Sequence, residues 1–413
     1  MARSVVFPLE FRATGLWGAL ALAILVGACG SRDRPDHDEG LTVVRSVGVG
    51  RWGTATTLDV ELEMGALEGP PEFAFGRIAQ LAVDADGAMY VYDALVPALR
   101  KYSRDGEYQY TLAAEGSGPG EYKRIEGLEI CPNGMIAAWD VGNARINLYL
   151  PTGAASSSIR VPGSLQTSRP FAVDTSGLFY VKVNYYDARG ALTPRLGFMR
   201  LTLDGTVVDT LPEPQEPPAP SYAIPITFSQ GGLDNFPVAK KWAVGPQGHM
   251  VVGVNDEYTF DIVSPEGPST RVYRDRPAAR LAPEERAEWK MLIRGAKRVM
   301  PPVRGDTFLP PVPEVKPPYR ELYMGSDGRI WVHLYVGAEK VGTQTSDPEL
   351  PTITWYEPAV FDVFEFDGAY LGEVRFPMRY WPMVMKGDTV WGVRRGEFNE
   401  QYVFRMRLEH DEH

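Results

Sequence analysis

The sequence predicts an all-β chain in which six four-stranded units follow one another and close into a ring, a single six-bladed β-propeller. Three observations predict it. First, an apolar strand, a tight turn ending in glycine and a second strand recur six times, with turn glycines at Gly87, Gly134, Gly177, Gly248, Gly328 and Gly387. Residues 81–92 are the clearest copy, an Asp86-Gly87 hairpin turn between an apolar run and an aromatic, branched run. Second, Gly106, Gly153 and Gly267 lie 19 residues after Gly87, Gly134 and Gly248, room for a second hairpin, and Asp204-Gly205 and Asp367-Gly368 supply the same turn after longer middle loops. Third, the sixth copy has only three strands by residues 402–408, while a β-prone segment at 57–62 precedes the first copy. Pairing that segment with the last unit removes two exposed sheet edges.

Taken in order, the chain begins with Arg3 and Arg12 ahead of an uncharged run from Gly15 to Ala28, the layout of a secretory signal over 1–28. Fourteen apolar residues span about 21 Å of helix, short of the ~30 Å hydrocarbon core, which disfavours a permanent transmembrane helix. The run ends Val26-Gly27-Ala28-Cys29, which resembles the bacterial lipobox. That resemblance implies cleavage before Cys29, lipidation of its thiol and amine, and anchoring to a membrane by two or more acyl chains. Gly30 rather than Asp after the cysteine implies the outer membrane. Residues 29–40 read as a flexible charged tether, 41–409 as the propeller and 410–413 as a solvated tail.

The propeller is expected to be one domain despite 413 residues, 44% of them hydrophobic. A formal net charge of −11 argues against nucleic-acid binding, which needs clustered cations to neutralise phosphates. Past Cys29 the sole thiol is Cys131, at the end of an apolar strand, and it reads as a buried structural residue. The mature chain is also similar to the exported six-bladed propeller lipoproteins of bacteria, distant relatives of NHL-repeat propellers. That resemblance lies in Val83-Asp84-Ala85-Asp86-Gly87 with Tyr90-Val91, in Gly116-Ser117-Gly118-Pro119-Gly120-Glu121-Tyr122, and in Pro317-Pro318-Tyr319-Arg320 ahead of Asp327-Gly328-Arg329-Ile330-Trp331. It implies the fold and export but no particular reaction.

Two insertions interrupt the repeat. Residues 212–225 are proline-rich and read as a surface loop. Residues 283–300 read as an amphipathic helix with Trp289, Leu292, Ala296 and Val299 on one face, two glutamates in its first turn and Arg294, Lys297 and Arg298 near its end. It is expected to pack on one face of the disc, as a lid over a site or as a plain elaboration.

Most motif matches reduce to turns. The G-x-G-x-x-G match at residues 48–53 precedes a β-prone segment, whereas phosphate binding needs a helix N-terminus there. Asp84-Ala85-Asp86-Gly87 lacks the further carboxylates of a calcium loop. His249 and His333 belong to different units, so neither a metal site nor any cofactor is expected.

One constellation survives. Counting back from each turn glycine, a basic residue stands at minus eight in four units (Arg169, Lys240, Arg320, Arg379) and at minus ten in two (Arg77, Arg124). These are the entries to the innermost strands, where loops converge on a propeller's channel. Two cations about 10 Å apart repel by roughly 1.7 kcal/mol at an effective dielectric of 20, so such a ring needs compensation. Protein carboxylates such as Glu72 and Glu121 in neighbouring loops could supply it, as could an anionic small molecule, a sugar acid or an acidic peptide. The functional expectation is a lipid-anchored binding or interaction protein of the cell envelope, with such a ligand or an envelope protein as partner. The alternative, by analogy of fold alone, is a metal-dependent gluconolactonase-like hydrolase or lyase.

Overall fold

The computed structural model describes residues 41–53, 56–162, 164–165, 171–185, 195–212, 236–264, 268–299, 312–341 and 354–410. Six principal sheets follow one another along the chain as the blades of a six-bladed β-propeller. Their innermost strands are Ile78–Val83, Ile125–Ile130, Phe171–Val173, Lys240–Val244, Tyr319–Met324 and Tyr380–Lys386. All six turn glycines between the first and second strands have positive φ, from 56° to 88°, as does Gly106, Gly153, Gly205 and Gly368 in the second hairpins. Only glycine adopts that backbone at little cost, which is why it recurs at these turns. At the first turn Asp84 adds a side-chain brace, its Oδ1 accepting from the N–H groups of Asp86 and Ala88.

Each strand alternates its side chains between two neighbours, so every interface between blades has its own apolar cluster. In the second strand of blade 5, Ile330, Val332 and Leu334 face blade 4, while Trp331 faces blade 6. The ring closes as the repeat count requires: Thr57–Met64 pairs antiparallel with Gln401–Glu409 as the outermost strand of blade 6. The closure continues into blade 1, where the Ile78 N–H donates to the Gln401 side chain at 2.7 Å.

The segment before the closing strand does more than the sequence predicts. Thr42–Ser46 adds to blade 4 as a fifth strand, parallel to its outer strand Thr270–Arg274. The chain then crosses blade 5, where the Trp52 N–H donates to the Leu371 carbonyl at 2.8 Å. Residues 41–53 and 56–64 thus strap three consecutive blades. Residues 48–53, the match to the dinucleotide motif, are part of this strap, and a Cβ on Gly50 would stand 2.1 Å from the Leu371 carbonyl oxygen. His410 is a correction: the residue read as the start of a solvated tail stacks on Trp52, with ring centroids 4.7 Å apart. Residues 411–413, the signal and tether over 1–40 with Cys29, and the proline-rich run after Pro212 lie outside the described residues.

The inserted helix, Pro283–Val299, packs through Trp289 and Leu292. Trp289 meets Phe236 at 5.1 Å, and Phe236 in turn meets Tyr335 of blade 5. The side chains of Ala296 and Val299 lie outside the described set. Among the described residues no helix is long and apolar enough to cross a membrane.

Candidate functional site: the two ends of the channel

Residues at the ends of all six innermost strands, among them Val83, Ile130, Val173, Val244, Met324 and Met385, line one cavity of about 330 Å³. The innermost strands therefore run in the same direction along the channel, and their entries lie at its other end, about 20 Å away for six residues of strand. The two openings are called here the turn end and the entry end.

Five of the six basic residues nominated from the sequence are described, and each stands at the entry of its strand. Arg77 and Arg124 immediately precede the innermost strands of blades 1 and 2, Lys240 and Arg320 are the first and second residues of theirs, and Arg379 immediately precedes the last. Arg169 lies outside the described residues. Arg77 and Arg379 are exposed, and Arg124 pairs with Glu126 at 3.3 Å. Arg320 lies over the Tyr335 ring at 4.4 Å and reaches Glu357 at 3.4 Å. Arg379 has φ of 70°, a left-handed conformation that costs a side-chain-bearing residue about 1 kcal/mol or more, and donates to the Gly396 carbonyl.

Besides Glu126 and Glu357, which pair with Arg124 and Arg320, three carboxylates near this end are engaged by backbone N–H groups. Glu121 accepts from Gly118 N–H at 2.6 Å and so braces its own loop. Asp93 accepts from the N–H groups of Gly76 and Arg77, and Asp140 from those of Lys123 and Arg124. Asn255 does the same for Ala239 in blade 4. In blades 1, 2 and 4 a short Asx side chain at the end of the second strand thus fixes the backbone at the entry of the innermost strand.

The structure adds cations that sequence counting missed. Lys241 is the second residue of the innermost strand of blade 4, and Lys182, in the second strand of blade 3, has its ammonium 5.5 Å from the Trp242 ring. Arg395 stands over Trp381 at 5.1 Å, and its N–H donates to the Arg379 carbonyl. Beside Lys241 is Glu321, whose carboxylate is 3.6 Å from its ammonium. Although 37% of its side-chain surface is accessible, the protein around it removes enough solvent to raise its pKa, against the pull of Lys241 and Lys182. Across the blade 5 ladder His333 faces Glu321 in register and stacks on Phe361 at 4.6 Å. Burial holds the His333 imidazole well below its ordinary pKa, with Arg320 and Lys241 adding to the effect.

The inserted helix is joined to this end by charge. Lys316, fully buried, lies 2.8 Å from Glu285 in the first helical turn and 3.0 Å from Glu357, which also receives Arg320. A chain of four charges therefore leads from the helix to the mouth. Among the described residues no group of three or more His, Cys, Asp or Glu side chains is arranged to hold a metal ion. Burial also lowers the His249 pKa, and its ring rests against Phe366 in a setting separate from His333.

This architecture makes the chain a six-bladed β-propeller protein, and a family model described as a 6-bladed beta-propeller matches residues 37–193. No curated protein gives a significant match. Among solved structures, a member of the DUF4221 family from Bacteroides vulgatus is 9% identical, with 86% of this chain and 99% of that one covered at a TM-score of 0.49. Virginiamycin B lyase from Staphylococcus aureus is 11% identical, with 86% and 100% covered and a TM-score of 0.40. A gluconolactonase from Xanthomonas campestris is 12% identical, with 81% and 87% covered and a TM-score of 0.39.

Proposed function

We propose that this chain is an exported, lipid-tethered envelope protein that works by binding, and that it takes an anionic ligand, a sugar acid or an acidic peptide, at the entry end of its channel. Arg77, Arg124, Arg169, Lys240, Arg320 and Arg379 are the proposed contacts, with Lys182, Lys241 and Arg395 deeper in or beside the mouth. One observation carries the reading. Cations from successive blades gather at one end of the channel: Arg124, Arg320 and Lys241 have carboxylate neighbours, Arg77 and Arg379 stand exposed, and Glu121, Asp93 and Asp140 are engaged by backbone N–H groups. Such a concentration of like charge on an acidic protein favours an anion entering from solvent and repels a divalent metal.

The tether rests on the lipobox-like Val26-Gly27-Ala28-Cys29, and Gly30 points to the outer membrane. Incorporation of labelled fatty acid into the expressed precursor, lost in Cys29→Ser, tests the anchor. The ligand reading is tested by titrating D-glucuronate and a triglutamate peptide against the mature protein by calorimetry at two salt concentrations. Binding is expected to weaken with salt and to fall at least tenfold in an Arg77→Met, Arg379→Met double variant. Equal affinity in that variant, or binding indifferent to salt, rules the mouth out as the site.

A further inference from the structure

We infer that Glu321 is the resident counterion of Lys241, and that a ligand carboxylate binds by taking its place, so that Glu321 sets the affinity and couples binding to proton uptake. This rests on the proposed anion-binding function and goes further by assigning the inner subsite and the chemical group it accepts. The position that holds the Glu321 carboxylate 3.6 Å from Lys241 is itself a template for a carboxylate. Its occupant comes from the neighbouring blade on a side chain with rotatable bonds, and 37% of that side-chain surface remains accessible. Nothing covalent holds it there, and an incoming carboxylate of the same shape and charge competes for the same ammonium group.

The surroundings decide which group takes up the proton. On its own strand Glu321 neighbours Arg320, which is occupied by Glu357 and the Tyr335 ring, and Tyr319 and Tyr323, the former held far above the ordinary phenol range by burial. The adjacent innermost strand contributes Lys240 and Lys241, blade 3 contributes Lys182, and the second strand of blade 5 contributes His333. With its pKa already depressed by burial and two cations, His333 stays neutral when an anion arrives. Glu321 is already displaced upward, so a second negative charge beside it favours its neutral form further. As a neutral acid it can donate a hydrogen bond to the carboxylate that displaced it.

The test uses the mature protein and D-glucuronate, with glucose as the uncharged control, titrated calorimetrically from pH 5.5 to 8 at fixed ionic strength. Wild-type affinity is expected to rise about tenfold on acidification across that range, an average uptake of about 0.4 proton per ligand. Glu321→Gln, which resembles the protonated acid in shape, should bind about tenfold more tightly than wild type at pH 8 and lose the pH dependence. Lys241→Gln should weaken binding at least tenfold while the outer-mouth arginines remain. If glucuronate binds the wild type but Glu321→Gln binds it equally or less well, the displacement idea is overturned and the mouth remains an anion site. If neither protein binds glucuronate at any pH, the anion-binding function and this inference fall together.

Discussion

The two ends of the channel are built from different materials. At the turn end short hairpins bring Leu81, Val83, Leu128, Ile130, Val244, Met324 and Met385 together around the cavity, with the turns set by glycines of positive φ. At the entry end the blades differ from one another: blade 5 is preceded by a helical insertion, and the strand entries carry lysine or arginine beside Glu321, Glu357 and a neutral His333. A repeat constrained by its hairpins leaves only the loops between blades free to vary, and chemistry accumulates there. Substitutions at the entry end should therefore act through charge and pH, and those in the apolar part of the turn-end lining through packing.

The largest effect that would sharpen this contrast is at Lys316. Its ammonium is fully buried between Glu285 and Glu357, and also donates to the Val336 carbonyl. Replacement by methionine preserves volume but leaves two carboxylates with reduced compensation, a change that costs about 3–5 kcal/mol when buried pairs are broken. Urea unfolding of Lys316→Met should show that loss, and a Lys316→Met, Glu285→Gln double variant should recover part of it. A cost below about 1 kcal/mol would mean that water reaches this network, and that the helix is held by Trp289 and Phe236 rather than by charge.

Whether such features can be read from sequence depends on whether they leave a periodic trace. The ring and its closure do, because each turn glycine is required by backbone conformation and the unpaired copy at the end must find a partner. The strand Thr42–Ser46 does not, since a parallel strand added at an outer edge needs no turn and no alternation facing a core. Glu285 was legible only as a charge suited to a helix N-terminus, and its partner Lys316 lies 31 residues further along the chain. Lys241 and Glu321 fall outside the cation pattern at minus eight and minus ten; both stand at minus seven from their turn glycines, Gly248 and Gly328. Opposite charges at one offset in consecutive units are a usable signal for contact between neighbouring innermost strands.

A smaller effect is expected from pH. His333 has a depressed pKa when folded, so below about 6.5 the unfolded chain gains a proton that the folded chain refuses. Its contribution is constant above that value and is lost as pH falls, with a slope of up to about 1.4 kcal/mol per pH unit. Glu321 and Asp362, whose pKa values are raised, act with the opposite sign, their contribution diminishing as pH rises above the ordinary carboxylate range. Unfolding free energies of wild type and His333→Leu between pH 5 and 7 isolate the histidine: the difference between them should shift toward the variant on acidification. Parallel curves would show that the imidazole titrates normally, and the entry end would lose its distinction as the pH-sensitive one.

The smallest effect belongs to the turn end. Cys131 closes the innermost strand of blade 2 next to the cavity lining, is 2% exposed, and has its thiol pushed up to about 12 by burial, with Glu129 adding to the shift. A thiolate is the reactive form, so at pH 8 a thiol reagent should leave folded Cys29→Ser protein unlabelled and modify one group in urea. Cys131→Ala should cost about 1 kcal/mol, the loss of one small buried group, with no dependence on salt or on pH between 6 and 8. Rapid labelling of the folded protein would show that the hairpins at this end open locally at low cost. In that case the glycine turns would not be the rigid side of the disc, and the contrast between a fixed packing end and a variable charged end would have to be drawn between blades instead.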